Sequence, residues 1–389
     1  MSTNNDLYDN DIKALLVWDG GKDITIPEHM GVARVDQMLG TPAEQLTELA
    51  GRICYDSLGS EKSRGSKDYH GHIQEVGHLS VCEHFNFTIS LDYVELDTLF
   101  SVLINRPGIF FTTVQPRVGA AITLNLRTIL EWDSWTKQLA KSYGSSPTGA
   151  YVTSANYLGD VVRYWGNQLA PQIIKAPNAD VLRSLTGSSR LVQPRDRSQM
   201  WVSLYMGGSR GFSHEQVRHG DFTAISQRST RYCDESESRW ITHPLITRYV
   251  NYAQSSLNHF DEDALADIRN QCNDSLATAR VTYQKWVEIL TAFLTGQGVS
   301  AANARKQSRG AARGYLGNAL YTDMIFSANV TQWRRMLLAR GNGAADAEIR
   351  IMYNRALPVL KQSRYGKEFS DLELRNAPDG IGFEIFQQE

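Results

Sequence analysis

The chain has 389 residues, enough for one large domain or two ordinary ones, with 42% apolar and 21% charged residues. A formal net charge of −2 excludes a global basic field that would draw it onto nucleic acid or acidic lipid, so any anion must be held by a local cluster. No apolar run reaches membrane-spanning length and the amino terminus has no signal-peptide pattern; the four cysteines lack CxxC or metal-ligand spacing. The expectation is a reduced, cytoplasmic protein of a bacterial or phage-infected cell, with no structural disulfide, metal, membrane or nucleic-acid partner.

In chain order, ALLVW at 14–18 reads as a strand within an extension over 1–30. The apolar spacing of TPAEQLTELAGRICY predicts a helix over 41–55 with Thr41 as cap, and KDYHGHIQEVGHL a second over 67–79. HFNFTISLDYV alternates as a strand over 84–94. Residues 95–200 read as an inserted, mostly helical segment, with helical patterns in LNLRTILEW and NYLGDVVRYWGNQLA between Gly/Ser/Pro-rich connectors. MWVSLYM resumes as a strand, SRGFSHEQVRHG fits a helix ending at Gly220, and a polar loop follows. Helices are expected over 263–293, near 302–316 and over 345–360, with LYTDMIFSAN a strand and Arg340 at a helix end before Gly341. The fold class is therefore α+β. The proposed catalytic domain spans 31–94 and 201–360, followed by a tail over 361–389.

The densest polar stretch is EQVRHGDFTAISQRSTRY, residues 215–232. Arg218, Arg228 and Arg231 beside Ser226, Gln227 and Ser229 suit a nucleotide phosphate and its sugar; a solvated loop with surface ion pairs is the alternative. His214 and His219 stand five apart and fall on different helix faces, unlike the zinc-binding HExxH pattern. His70, His72, His78 and His84 cluster without carboxylates or thiolates at ligand spacing, so capping and hydrogen-bonding roles are expected of them. The chain has no P-loop, no GxGxxG after a strand, and no GxSxG elbow.

RHGDFTAISQRSTRY, preceded by SRGFSHEQV, resembles the signature of the flavin-dependent thymidylate synthases. Further likenesses lie in RICYDS, GHLSVCEHFNFTI, ARGYLGNALYT, SANVTQWRRMLLAR and ADAEIR, in the family's order. The resemblance implies an α+β homotetramer with active sites between subunits. It also implies reductive methylation of dUMP to dTMP with FAD, methylenetetrahydrofolate and NADPH. Carried over by position, Glu215, Gln216 and Arg218 would meet the nucleotide, and Gln227, Arg228, Ser229, Thr230 and Arg231 would wrap its phosphate and sugar. Ser229 would lie near the uracil, Arg313 would be a second nucleotide-binding arginine, and Arg340 would face the uracil edge. Ser80, Arg218, His219, Gln227, Asn329 and Arg335 fall where the family meets FAD, as do His78 and Cys54.

The chain departs from the pattern where Gly220 replaces the signature's second arginine, Thr331 an arginine and Asp346 a glutamine, and the 95–200 block is absent from compact members. These departures leave open a relative that methylates or hydroxymethylates another pyrimidine nucleotide (dUMP or dCMP), or a non-catalytic nucleotide- or RNA-binding relative.

Overall fold

The computed structural model describes residues 12–21, 24–25, 42–58, 65–91, 110–115, 119–127, 193–220, 223–237, 239–255 and 262–388. Four strands build the central sheet: β1 (Lys13–Trp18), and, after two short strands β2 (Asn86–Leu91) and β3 (Phe110–Gln115) and a third, β4 (Gly119–Asn125), the long β5 (Trp201–Ser209), then β6 (Thr223–Gln227) and β7 (Tyr321–Asn329). The sheet order is β1-β5-β7-β6, antiparallel throughout, with Trp201 opposite Asn329 and Ser209 opposite Tyr321. A second sheet has the order β2-β4-β3.

All nine residues of β5 are buried, which requires cover on both faces. Period-two alternation decides what each face meets. Val202, Leu204 and Met206 join Met324, Phe326 and Ala328 in a core shared with Trp333, Met336 and Leu337 of α7 (Val330–Arg340) and with Ile349, Met352 and Tyr353 of α8 (Ala347–Gln362). Trp201, Tyr205 and Ile325 face the other way, onto Leu46, Leu49 and Ile53 of α1 (Pro42–Tyr55) and Ile73 of α2 (Ser66–Glu75). The result is a helix–sheet–helix stack, mixed α and β as expected.

Between β5 and β6 lies the short α3 (Arg210–Gln216), continued as a tight turn over Val217–His219. Next come α4 (Pro244–Ser255), the 35-residue α5 (Glu262–Gly296) and α6 (Ala301–Ala312). The chain closes with an antiparallel hairpin, β8 (Leu372–Asn376) and β9 (Phe383–Gln387), which lies on α8: the buried Arg350 donates to the carbonyls of Gly343 (2.8 Å) and Ile381 (3.1 Å) and ion-pairs with Asp379.

Several expectations need correction. The helix expected over 67–79 stops at Glu75, because Gly77 takes the left-handed conformation (φ 71°) and a short 3-10 turn over Leu79–Glu83 follows. LNLRTILEW begins as strand, Leu124 and Asn125 finishing β4 paired with Phe87 and Asn86; Leu126 and Arg127 turn helical, and the rest lies outside the described residues. Of the 95–200 block, the described residues before Gln193 are β3, β4 and the helical Leu126 and Arg127; NYLGDVVRYWGNQLA and the Thr41 cap lie outside the described residues. The polar loop after Gly220 contains β6, and the tail contains a hairpin. Gly220 itself is right-handed (φ −68°), so it does not terminate α3 by a left-handed cap.

Candidate functional site

Two groups of polar side chains gather the residues singled out by sequence. The first forms where α3 and α7 end. Ser209 caps α3: its Oγ accepts from the Phe212 N–H at 3.0 Å and donates to Glu348 Oε2 at 2.6 Å, tying the start of α3 to the start of α8. Phe212 and Ser213 then point inward, as does Gln216, whose Oε1 accepts from Tyr353 Oη at 2.8 Å. Gln216 is fully buried, its side chain turned toward Tyr353. Glu215, Arg218 and His219 lie on the outer side.

Asn329 caps α7, its Oδ1 accepting from the Gln332 N–H at 2.8 Å. Three turns later the helix must stop at Gly341, because β9 comes against it: a Cβ there would sit 2.5 Å from the Ile385 side chain, and Gly341 O accepts from Ile385 N–H at 2.7 Å. This close approach fixes Arg340. Its Nε donates to His219 Nε2 at 2.8 Å, and its Nη1 lies 3.4 Å from Glu215 Oε2. Burial first, then the charges of Arg340 and Arg335, hold His219 below the ordinary imidazole range. Arg335 and Arg218 are exposed beside it.

The second group surrounds the turn after β6. Ser229 N–H donates to Cys54 O at 3.0 Å, joining that turn to the end of α1. Gln227 Nε2 donates to Ser213 Oγ (2.7 Å) and Thr322 Oγ1 (3.2 Å). Arg228 is drawn into the protein by Asp56 (2.8 Å) and buried Glu235 (3.4 Å), so it locks the turn rather than facing outward. Thr230 is buried, whereas Arg231 and Arg313 are exposed, Arg231 lying along α6. The rings of Tyr55, His78 and Tyr232 pack together (4.8 Å between the two tyrosines), with Lys306 Nζ 4.7 Å over Tyr232 and Ser80 exposed on the neighbouring turn. Tyr55, Tyr232 and Lys306 were not among the expected site residues; an aromatic and a lysine carry no spacing signal of their own.

His84 is a buried fastener. Its two nitrogens lie 2.8 Å from Ser327 Oγ and 2.9 Å from Ser226 Oγ, and burial pushes it down to about 3, so it is neutral. All four cysteines are free thiols, and burial pushes Cys54 up to about 11 and Cys82 and Cys233 to about 12. None of these three is an activated thiolate. Among the described residues, no group of three His, Cys, Asp or Glu side chains is placed to hold a metal, and no helix is long and apolar enough to cross a membrane; α3 and the turn after β6 are tied together by Gln227 Nε2 to Ser213 Oγ (2.7 Å) and by Arg210 Nη2 to the Arg228 carbonyl (2.8 Å).

Residues 179–363, which contain both groups apart from the α1 and His78 side, match the family model described as thymidylate synthase complementing protein. Over that stretch the chain is similar to this family. Proteins named flavin-dependent thymidylate synthase are similar to it over 182 residues: 33% identical in Mycobacterium tuberculosis (strain ATCC 25618 / H37Rv) and in Mycobacterium marinum (strain ATCC BAA-535 / M), and 32% in Mycolicibacterium gilvum (strain PYR-GCK). Each match covers 46% of this chain and 64% of the relative, so the chain spans less than two thirds of the length of these relatives and the similarity accounts for less than half of its sequence.

Proposed function

We propose that the protein is a flavin-dependent thymidylate synthase, which methylates dUMP reductively to dTMP using methylenetetrahydrofolate, FAD and NADPH. The observation that carries this reading is the Arg340 guanidinium, held at the end of α7 by His219 and Glu215 within the stretch that matches the family. Uracil C5 is a poor nucleophile until negative charge gathers on the ring. A fixed guanidinium at the N3/O edge stabilises that charge, by about 3–4 kcal/mol where water is excluded. Glu215 and His219 orient Arg340; exposed Arg231 and Arg313 supply donors for a phosphate; the Ser229 turn, fixed by Cys54 and Arg228, presents the edge against which the ring would lie.

The side chains fit a flavin in two respects. Arg218 and Arg335 are exposed guanidiniums suited to its phosphates, and Tyr55, His78 and Tyr232 offer ring surface to a planar heterocycle. The flavin, when bound, supplies the hydride that completes the methyl group. The alternative route to the same product adds a cysteine thiolate to C6, and the raised thiols of Cys54, Cys82 and Cys233 speak against it.

Gly220 favours a second reading, in which the same scaffold hydroxymethylates or methylates dUMP or dCMP. The experiment is product analysis with reduced enzyme, dUMP or dCMP, and methylenetetrahydrofolate. dTMP from dUMP is expected, and Arg340→Ala should lower its rate by about 100-fold or more. Hydroxymethyl-dUMP alone, or turnover of dCMP alone, supports the second reading. Parental turnover by Arg340→Ala overturns the first, and a colourless protein that gains no thermal stability with FAD or dUMP is a non-catalytic relative.

A further inference from the structure

We propose that His219 is a positioning residue that aims the Arg340 guanidinium, and that it does so only as the neutral imidazole carrying its proton on Nδ1. The chemical consequence rests on the function proposed above; the bond itself does not. An arginine Nε–H can only donate, so the nitrogen 2.8 Å away, His219 Nε2, must present a lone pair. That fixes both the charge and the tautomer of the ring, and leaves Nδ1–H as a donor that makes no hydrogen bond among the described residues. The resemblance placed His219 against a flavin, but Arg340 occupies its Nε2.

The arrangement works as a two-point rest for the guanidinium. His219 takes Nε, Glu215 Oε2 sits 3.4 Å from Nη1, and Nη2 makes no hydrogen bond among the described residues. That leaves the outer edge of the fork to recognise a planar partner with adjacent acceptors, as a pyrimidine offers at its N3 and carbonyl oxygens. The backbone of His219 is itself steadied, its carbonyl accepting from Gln332 Nε2 at 3.4 Å. The charged groups facing the ring are Arg340 and Arg335 from α7, and Glu215 from α3 on the far side of Arg340; Arg218 is its chain neighbour.

Protonating the imidazole would oppose two cations across 2.8 Å and break the rest. The neutral form is therefore the working one. Because its folded value lies below the ordinary 6.5, the bond is complete above pH 6.5 and is lost as pH falls through that lower value. Arginine at 340 and histidine at 219 thus act together, the second through the first.

Long-range proton–nitrogen NMR on the full-length protein reads the bond directly. An Nδ1–H tautomer with a titration midpoint below 6.5 is expected, moving upward in Arg340→Met; an Nε2–H tautomer, or a midpoint that Arg340→Met leaves in place, overturns the bond. Affinity for dUMP, measured by calorimetry between pH 5 and 8, reads the consequence. The parent should weaken about tenfold at the acid end, since one lost charge-assisted bond is worth on the order of that factor. His219→Gln, whose amide oxygen can accept the same bond, should hold its affinity across the range, and His219→Leu should be weak throughout. Parental, pH-dependent affinity in His219→Leu overturns the positioning role. Failure of every form to bind dUMP sinks the nucleotide reading instead, while the NMR still decides the bond.

Discussion

Gly220 replaces an arginine of the family signature without any backbone need for glycine. Its φ is −68°, and a Cβ would meet nothing nearer than the Val217 carbonyl at 3.6 Å. Arg335, on α7, is close enough for its charge to act on His219, the preceding residue, so a guanidinium from a different element already serves this corner. Arg335→Ala should therefore weaken FAD binding by about tenfold, and Gly220→Arg should fold normally and restore it in that background. Fluorescence titration of FAD into the apoprotein measures both; an Arg335→Ala variant with parental affinity removes Arg335 from the flavin site. The example also shows what sequence alone could deliver at this scale. Glu215 and Arg340 were singled out by two separate stretches, SRGFSHEQV and SANVTQWRRMLLAR, at the positions where the resemblance places site residues. The bond from Arg340 to His219 was not, because 121 residues separate the partners and only the α3–α7 approach joins them. The burial of Gln216 was not legible for a related reason: the motif gives adjacency, whereas burial depends on its lying four residues after Phe212, on the face that meets Tyr353.

Elements with long periodic patterns were readable, and those defined by partners were not. α1, β5, β7 and α8 carry enough apolar residues at the right spacing to declare themselves. β6 has five residues, TAISQ, whose strand character depends on β7 beside it, and the β8–β9 hairpin needs Ile385 packed against Gly341. The start of α8 shows how a departure from the family pattern is absorbed locally. Asp346 caps the helix through the Glu348 N–H (2.9 Å) and pairs with His243 at 3.1 Å. The hydrogen bond to Asp346 raises His243 against its partial burial, with the charges of Asp346, Glu348 and Glu215 adding to it; the same bond lowers Asp346. A raised histidine contributes fully below 6.5 and loses its contribution as pH rises through its folded value; a lowered aspartate contributes above 3.8 and loses it as pH falls. The pair is thus strongest between these limits. His243→Ala should cost about 0.5 kcal/mol at pH 5.5, given the partial exposure of both groups, and essentially nothing at pH 9. Thermal melts at the two pH values check it: an equal loss at both would show that packing, not charge, is what His243 contributes.

At the scale of the molecule, the feature left over is α5. At 1.5 Å per residue its 35 residues span about 50 Å, and it packs on α6 while leaving large apolar side chains in water. Phe293 is 60% exposed, Ile289 59% and Ile268 57%, with Trp286 and Val281 also exposed along the helix. Trp286, Ile289 and Phe293 follow one another at the three- and four-residue spacing of a helix-packing seam, so their side chains share one face. Apolar surface in such a row suits an interface, and a homotetramer, if formed as the family resemblance implies, would supply a second copy of this chain to cover it. An assembly would also complete the nucleotide site, since the family resemblance implies active sites formed between subunits. The double variant Ile289→Glu/Phe293→Glu should therefore yield a smaller species by light scattering, with its circular dichroism unchanged, because both positions lie outside either core. Its affinity for dUMP should fall with the mass, as each half-site loses its complement. A variant of unchanged mass would assign the α5 face to some other contact, and a smaller species that binds dUMP at parental strength would place a complete nucleotide site within one chain.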